Sequence, residues 1–446
     1  NAVEIYSPAL TRIFDDSGAT ILSTDGSSLT ADHIGIEVTN VDGAPTPRTF
    51  VRHYGVFAPP GTVFTKAGNK IKIRLGSGQN YLSIAVLPSS SDLNYYYQHG
   101  YAFVTNTQVQ YAYDTAAGTI TTTFTSMTSP KRAGFSADTL MALLPHQWKI
   151  SDTPLTSRTY SSIRGLMKVR EGNSFTTVDR FSGIIPQFAE PENPEYSRSN
   201  LISYLSLLDA QLANTSGLMN LDPYWQGKVL HPAAMAAMIS HQIGDTARRD
   251  MYLSKLRTIL TDWYTFSPDE PLHSYYFHYS SDWGTLFPWA SGFGVNTGIT
   301  DHHFTYGYFV FASAVLAAFD DNFKTQYGPM VEHLIRDYAN PSRTDPLYPW
   351  FRNFDPYEGH SWAGGFADND SGNNQEAAGE ALNAWAAVYL WGIVTGNQAY
   401  RDAGAWGFTT ELRAIEQYWF NYDGDNWIPE YRHGVAGQVW GIAYLY

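Results

Sequence analysis

Asp301-His-His-Phe-Thr-Tyr-Gly-Tyr308 and Asn373-Asn-Gln-Glu-Ala-Ala-Gly-Glu380 are the two stretches on which the reading of this chain turns. Each sets carboxylates at the start of a segment with helical periodicity, amid aromatic and amide side chains. The same periodicity predicts further helices, so that the set covers roughly 224–243, 246–264, 303–319, 322–338, 375–394 and 398–420. Leu201, Tyr204, Leu205 and Leu208 follow it as well, after N-cap candidates at Ser197–Asn200. Long aromatic, Gly-rich segments lie between, at roughly 267–300 and 341–372. Helices joined by long loops at one end predict an α/α toroid for the second half of the chain.

The first half has another character. Residues 1 to about 150 read as β structure, with short β-branched runs at His33–Val38, Lys70–Leu75 and Tyr81–Leu87. Tyr101–Tyr113 and Thr119–Thr125 flank Asp114-Thr-Ala-Ala-Gly118, a hairpin turn. Strands at this spacing, with no helical period between them, predict an N-terminal antiparallel β-sandwich. Residues from about 151 to 195 read as irregular and carry Pro186, Pro191 and Pro194, as a linker or small α/β region would. The remainder, from about 196 to 446, reads as the helical domain.

Composition narrows the function classes. The chain has 446 residues, 43% hydrophobic and 16% charged, which marks a globular protein. Lys and Arg number 28 against 42 Asp and Glu, a net charge of −14, and no basic run occurs. Such a surface repels phosphate backbones, so nucleic acid is not an expected partner. There is no cysteine, which removes disulfides, thiolate nucleophiles and cysteine-bound metals together. The longest apolar run, Trp385–Val394, is too short to span a bilayer, so no membrane partner is expected either. The chain begins Asn-Ala-Val-Glu, without an initiator Met or signal-peptide pattern, as a processed chain would.

Carboxylates dominate what remains for chemistry. On a helix, Glu376 and Glu380 would share one face about 6 Å apart at Cβ, close enough to oppose each other's ionisation. Asn373, Asn374 and Gln375 beside them are partners for sugar hydroxyls, and no Lys or Arg occurs between Arg352 and Arg401. Asp301 opens the other helix, where it serves equally as an N-cap. His302 and His303 are adjacent, and helix neighbours diverge by about 100°, so they do not form a chelating pair. Asp368-Asn-Asp370-Ser-Gly372 has the opening of a calcium loop, but the later ligands are missing. No His-Glu-x-x-His, Gly-x-Ser-x-Gly, phosphate loop or dinucleotide fingerprint is present, so neither a metal nor a cofactor is expected. Paired carboxylates with aromatics, which make up 15% of the chain, fit glycosidic chemistry.

These motifs give the chain a resemblance to a known family. Asp301–Tyr308, Arg352-Asn-Phe-Asp-Pro-Tyr-Glu-Gly-His-Ser-Trp-Ala363 and Asn374-Gln-Glu-Ala-Ala-Gly-Glu-Ala-Leu-Asn383 resemble the glycoside hydrolases of family 81, which are endo-β-1,3-glucanases. Weaker echoes are Leu143-Leu-Pro-His146, Arg164-Gly165, Tyr224-Trp-Gln-Gly-Lys228 and Leu334-Ile-Arg-Asp337. The resemblance implies a β-sandwich, a small linker domain and a C-terminal (α/α)6 barrel. It also implies inverting, metal-free hydrolysis of internal β-1,3 bonds, with Asp301 as general acid, Glu376 as general base and Glu380 as a supporting carboxylate. His303, Tyr306, His360 and Trp362 resemble cleft-lining positions of the family, and Asn374 and Asp282 join them as expected substrate-binding residues.

The departures concern neighbours of the machinery. Thr305 stands where the family's first motif has a second His, and Ala377, Ala378 and Gly379 replace its usual serine-bearing run. About seven helical stretches are found where the barrel needs six pairs, so either further helices lack a visible period or the barrel is truncated in this chain. The implied partner is a β-1,3-glucan, the expected state a monomer, and secretion follows from that substrate. A non-catalytic glucan-binding protein on the same scaffold is the alternative, against which the three carboxylates together argue. A polysaccharide lyase would need Arg or Lys to neutralise a uronic acid, and the motifs are poor in both.

Overall fold

Lys70-Ile-Lys-Ile-Arg74 alternates strictly, with Ile71 and Ile73 buried and the basic residues outside. A computed structural model describes residues 2–42, 48–184, 189–213, 219, 222–269, 275–367 and 369–443. Contacts divide the chain into two units. The first gathers Asn1–Gln110, Thr122–Ser162 and Leu166–Thr177; the second gathers Tyr111–Thr121, Ile163–Gly165 and Val178–Tyr446.

In the first unit the alternating strand is the second of a four-stranded antiparallel sheet, ordered Ala2–Tyr6, Lys70–Arg74, Val63–Ala67 and Ser28–Thr30. A five-stranded antiparallel sheet runs Thr20–Ile21, Leu10–Phe14, His33–Asp42, Arg48–Phe57 and Ser83–Leu87. Ile13, Ile34, Ile36 and Val56 of the larger sheet share one buried cluster with Phe64, Ile71 and Ile73 of the smaller. A helix, α1 (Leu93–His99), interrupts what reads from the sequence as unbroken β structure. Its Leu93 and Tyr96 are buried against Phe57, too short an apolar set to show a helical period. The hairpin at Asp114–Gly118 is present between strands Ala102–Asp114 and Thr119–Pro130, where Asp114 Oδ1 accepts from the amides of Ala116 and Ala117.

The stretch expected to be irregular is partly ordered as strands, Thr159–Ser162, Gly165–Glu171 and Ser174–Arg180. Two of these strands, Thr159–Ser162 and Ser174–Arg180, are rich in Thr and Ser, and the β-branched Thr suits a pleated surface. Pro186 lies outside the described residues.

The helices follow their periodicity closely. After α2 (Pro145–Trp148) come α3 (Arg198–Gln211), α4 (Pro223–Gln242), α5 (Thr246–Trp263), α6 (His302–Ala317), α7 (Asp321–Ala339), α8 (Ala378–Thr395) and α9 (Gln398–Tyr418). Every residue of α6 is buried, which makes it the central element of its unit, packed against α4, α7 and α8. Ser197, Asp222, Asp245, Asp320 and Asn397 cap α3, α4, α5, α7 and α9 through their side chains. Among the described helices of this unit, only α6 and α8 begin without a capping side chain.

The crossing of α6 and α8 depends on Gly307, where an added Cβ would stand 2.8 Å from Cα and Cβ of Ala384. Since α8 backbone cannot yield as a flexible side chain would, Gly307→Val is expected to cost about 1–3 kcal/mol. A fall in the urea midpoint would show it, and an unchanged midpoint would mean the helices can part.

Candidate active site

Asp301 occupies the N-cap position of α6 in the left-handed region, at φ 60° and ψ 22°. L-residues with side chains rarely adopt that conformation, and strain of this kind gathers at functional sites. The main chain holds it: its N–H donates to Ala363 O at 2.8 Å, and its carbonyl accepts from Thr305 N at 2.9 Å. The side chain makes no capping bond, so the carboxyl is free for other work. Burial, then the charges of Glu376 and Glu380, push it up to about 7, while His302 pulls it partly down. Near neutral pH Asp301 therefore keeps a proton to give.

Glu376 lies outside the helix. Asn374–Gln375 pairs antiparallel with Val439–Trp440, and α8 starts only at Ala378. The carbonyl of Glu376 accepts from Ala378 N at 2.9 Å and from the Trp419 indole at 3.2 Å, which keeps this residue out of the helical register. The expectation that Glu376 and Glu380 share one helical face is thus corrected. The exposed Glu376 carboxylate accepts from Gln438 Nε2 at 2.9 Å.

Glu380 is held from three sides. Its Oε1 accepts from Lys228 Nζ at 2.5 Å, Tyr308 OH at 2.5 Å and Tyr224 OH at 3.0 Å. Tyr224 and Lys228 stand four apart on one face of α4, and Tyr308 faces them from α6. Burial and these bonds to Glu380 raise Tyr308; hydrogen bonds to Glu380 and the two tyrosines raise Lys228 against its own burial. Glu380 is a pinned carboxylate, whereas Asp301 and Glu376 are open to a ligand.

Residues 197–445 match the family model described as the glycosyl hydrolase family 81 C-terminal domain. The chain belongs to glycoside hydrolase family 81. It is 42% identical over 400 residues to a glucan endo-1,3-beta-D-glucosidase of Acetivibrio thermocellus, covering 88% of this chain and 51% of that one. A Thermobifida fusca protein of the same description is 40% identical over 391 residues, covering 87% and 50%. The structure of a mutant family 81 glycoside hydrolase from Clostridium thermocellum superposes with a TM-score of 0.85 at 40% identity, over 95% of this chain and 57% of that one. The chain thus spans about half the length of the curated relatives it matches.

The other expected site residues of this family 81 chain divide into three groups. Tyr306 and His360 are fully buried. Tyr306 donates to Leu286 O at 2.7 Å, and His360 lies against Ser361 O at 2.9 Å. Both side chains are enclosed by the protein, Tyr306 on the helix that Asp301 opens. Trp362 and Asn374 are half-buried; the Trp362 ring stands 4.5 Å from that of His360, and the Asn374 carbonyl accepts from Ala363 N at 2.7 Å. Asp282 is exposed in the turn between strands Tyr276–Ser280 and Thr285–Trp289, and no described bond ties it to the three carboxylates. Asp368, which opens the calcium-like turn, lies outside the described residues.

The two histidines diverge as their helix spacing requires. His302 pairs with Asp337 at 2.6 Å, both fully buried, and turns its other nitrogen to Val295 O at 3.0 Å. His303 faces Gln375 Nε2 at 3.1 Å. Gln375 also faces the fully buried Glu411 at 3.2 Å, which accepts from Ser361 N, Ser361 Oγ and Trp385 Nε1 as well. Because carboxylate oxygens only accept, the Gln375 atom shared between Glu411 and His303 is its NH2. His303 Nε2 is then an acceptor, its Nδ1 carries the proton, and burial holds the ring down at about 3, so it is neutral. Its Nδ1–H meets no described partner. Sequence reading missed Glu411, Asp337 and Lys228 as members of this network.

Proposed function

We propose that this chain hydrolyses internal β-1,3-glucosidic bonds of β-1,3-glucans with inversion. Asp301 gives its proton to the departing glycosidic oxygen, and Glu376 takes one from a water that attacks the anomeric carbon from the opposite face. The observation that carries this is the contrast between the carboxyls: Asp301 is uncapped and pushed up to about 7, while Glu376 is exposed. Glu380, fixed by Lys228, Tyr224 and Tyr308, supplies a standing negative charge that keeps the Asp301 proton in place. Relatives described as glucan endo-1,3-beta-D-glucosidases at 40–42% identity support the linkage.

Inversion needs about 6.5–9.5 Å between acid and base carboxyls, room for one water. We further infer that the two sheets with a shared core form a β-sandwich, and that α3 to α9 belong to an (α/α)6 barrel preceded by a linker region near 151–195. We infer from a wall or storage glucan as substrate that the chain acts outside the cell, and we take its working state to be a monomer. No described helix is long and apolar enough to cross a membrane.

The deciding experiment is NMR of the fresh product from a linear β-1,3-glucan. An initial α-anomer is expected; an initial β-anomer would refute the assigned roles. Binding of insoluble glucan without any sugar release would favour a pure binding protein instead.

A further inference from the structure

Phe293 is a bulky residue with 57% of its surface exposed, and its backbone sits at φ 50°. Burial does not explain it, and neither does local conformational preference, since glycine alone is comfortable there. The segment that presents it is nonetheless well fixed. A Cβ at Gly292 would stand 3.0 Å from the Asp222 side chain that caps α4. Val295 N donates to Gly292 O at 3.0 Å, and Gly298 N to Gly294 O at 2.8 Å. Val295 O in turn meets the His302 ring of the His302–Asp337 pair. A rigid support therefore holds an apolar ring out into water.

The neighbours of that ring lead to the carboxylates. Phe293 packs edge-on against Tyr224, with centroids 5.0 Å apart, and the Tyr224 hydroxyl is bonded to Glu380 at 3.0 Å. On α4, Trp225 is 52% exposed and its ring lies 5.7 Å from that of Tyr224. Phe293, Tyr224 and Trp225 thus make a contiguous aromatic strip that begins at the Glu380 carboxylate. The flat C–H face of a pyranose is the ligand chemistry that an exposed ring beside sugar-handling carboxylates fits, and an immobile ring binds it at little entropic cost.

We propose that Phe293, extended by Trp225, is the stacking platform of a glucan subsite on the Glu380 side of the cleavage point. This rests on the reading of the chain as a β-1,3-glucanase. The strained backbone is then the cost of presenting the ring, so function and stability are opposed at this one residue.

The test reads both quantities. In an Asp301→Asn background, where turnover is slowed at least about a hundredfold while binding is kept, calorimetry with a linear β-1,3-linked glucohexaose is compared for Phe293, Phe293→Gly and Phe293→Trp. Phe293→Gly is expected to weaken binding about tenfold while Tm stays equal or rises. Phe293→Trp is expected to keep the affinity, and Trp225→Ala to lower it severalfold. Equal affinity in Phe293→Gly, or a fall in Tm matching the loss of binding, overturns the subsite alone. A parent that does not bind the hexaose overturns the glucanase reading along with it.

Discussion

Asp301→Asn is expected to lower kcat on linear β-1,3-glucan by about a hundredfold to ten-thousandfold, the usual contribution of a positioned acid, with little change in glucan affinity. Asparagine fills the same volume and preserves both main-chain bonds, to Ala363 and from Thr305. The aspartate caps nothing, so no helix-start bond is lost. Only the transferable proton disappears. The wild-type protein carries a matching pH signature. With the carboxyl pushed up to about 7, the donor form empties as pH rises through that value, and activity falls on the alkaline side.

Stability changes in the opposite sense. The folded-state value lies above the ordinary carboxylate value, so the native state holds a proton that the unfolded chain has released. Wild-type stability therefore declines as pH climbs from about 4 towards 7. The amide of the variant cannot ionise, so Asp301→Asn should melt above the wild type at pH 8 and close to it at pH 4. Full activity in the variant would remove Asp301 from the reaction; a lower Tm at pH 8 would remove the buried charge from the argument.

Asp337→Ala is expected to cost about 3–5 kcal/mol, the largest stability effect among single changes around this site. The carboxylate is fully buried and accepts from Thr285 Oγ1 at 2.6 Å, from Leu286 N at 2.7 Å and from the His302 ring. Truncation takes the acceptor from all three at a fully buried position. Burial raises Asp337, but the His302 charge and its bonds outweigh this and hold it below the usual range. The stabilisation it gives is present above the unfolded carboxylate value and is lost as pH falls through the folded one. Urea unfolding at pH 7 measures the loss. A shift below about 1 kcal/mol would mean that His302 and the Leu286 amide find other partners.

The helices were legible in the sequence because their cause is local. Apolar spacing alone locates α4, α5, α7 and α9 to within a few residues, and the structure adds the side-chain caps at Asp222, Asp245, Asp320 and Asn397. Long-range contacts defeated the reading elsewhere. Glu376 is drawn out of α8 by Trp419, which lies 43 positions downstream. Glu411 is a single acidic residue within α9, and its donors come from Ser361, Gln375 and Trp385. Nothing near it in sequence announces the network. Motif membership gave no sign of burial: Tyr306 and His360 stand inside diagnostic runs, and both are fully buried. Asp301 was legible as a helix start, whereas its left-handed backbone depends on the bond to Ala363, and its raised proton affinity on burial and then on Glu376 and Glu380.

The two carboxyls proposed to work together hang from unequal supports. Asp301 is attached to α6, every residue of which is shielded from solvent, whereas Glu376 follows a ladder of two residues, Asn374–Gln375 on Val439–Trp440. Local opening scales with the packing that must be undone, so amide hydrogens in the interior of α6 are expected to exchange far more slowly than those of the ladder. The proton donor then has a permanent address, and the water-activating side is the half that warms loose first. Heat inactivation is expected to begin there, at temperatures below the melting transition.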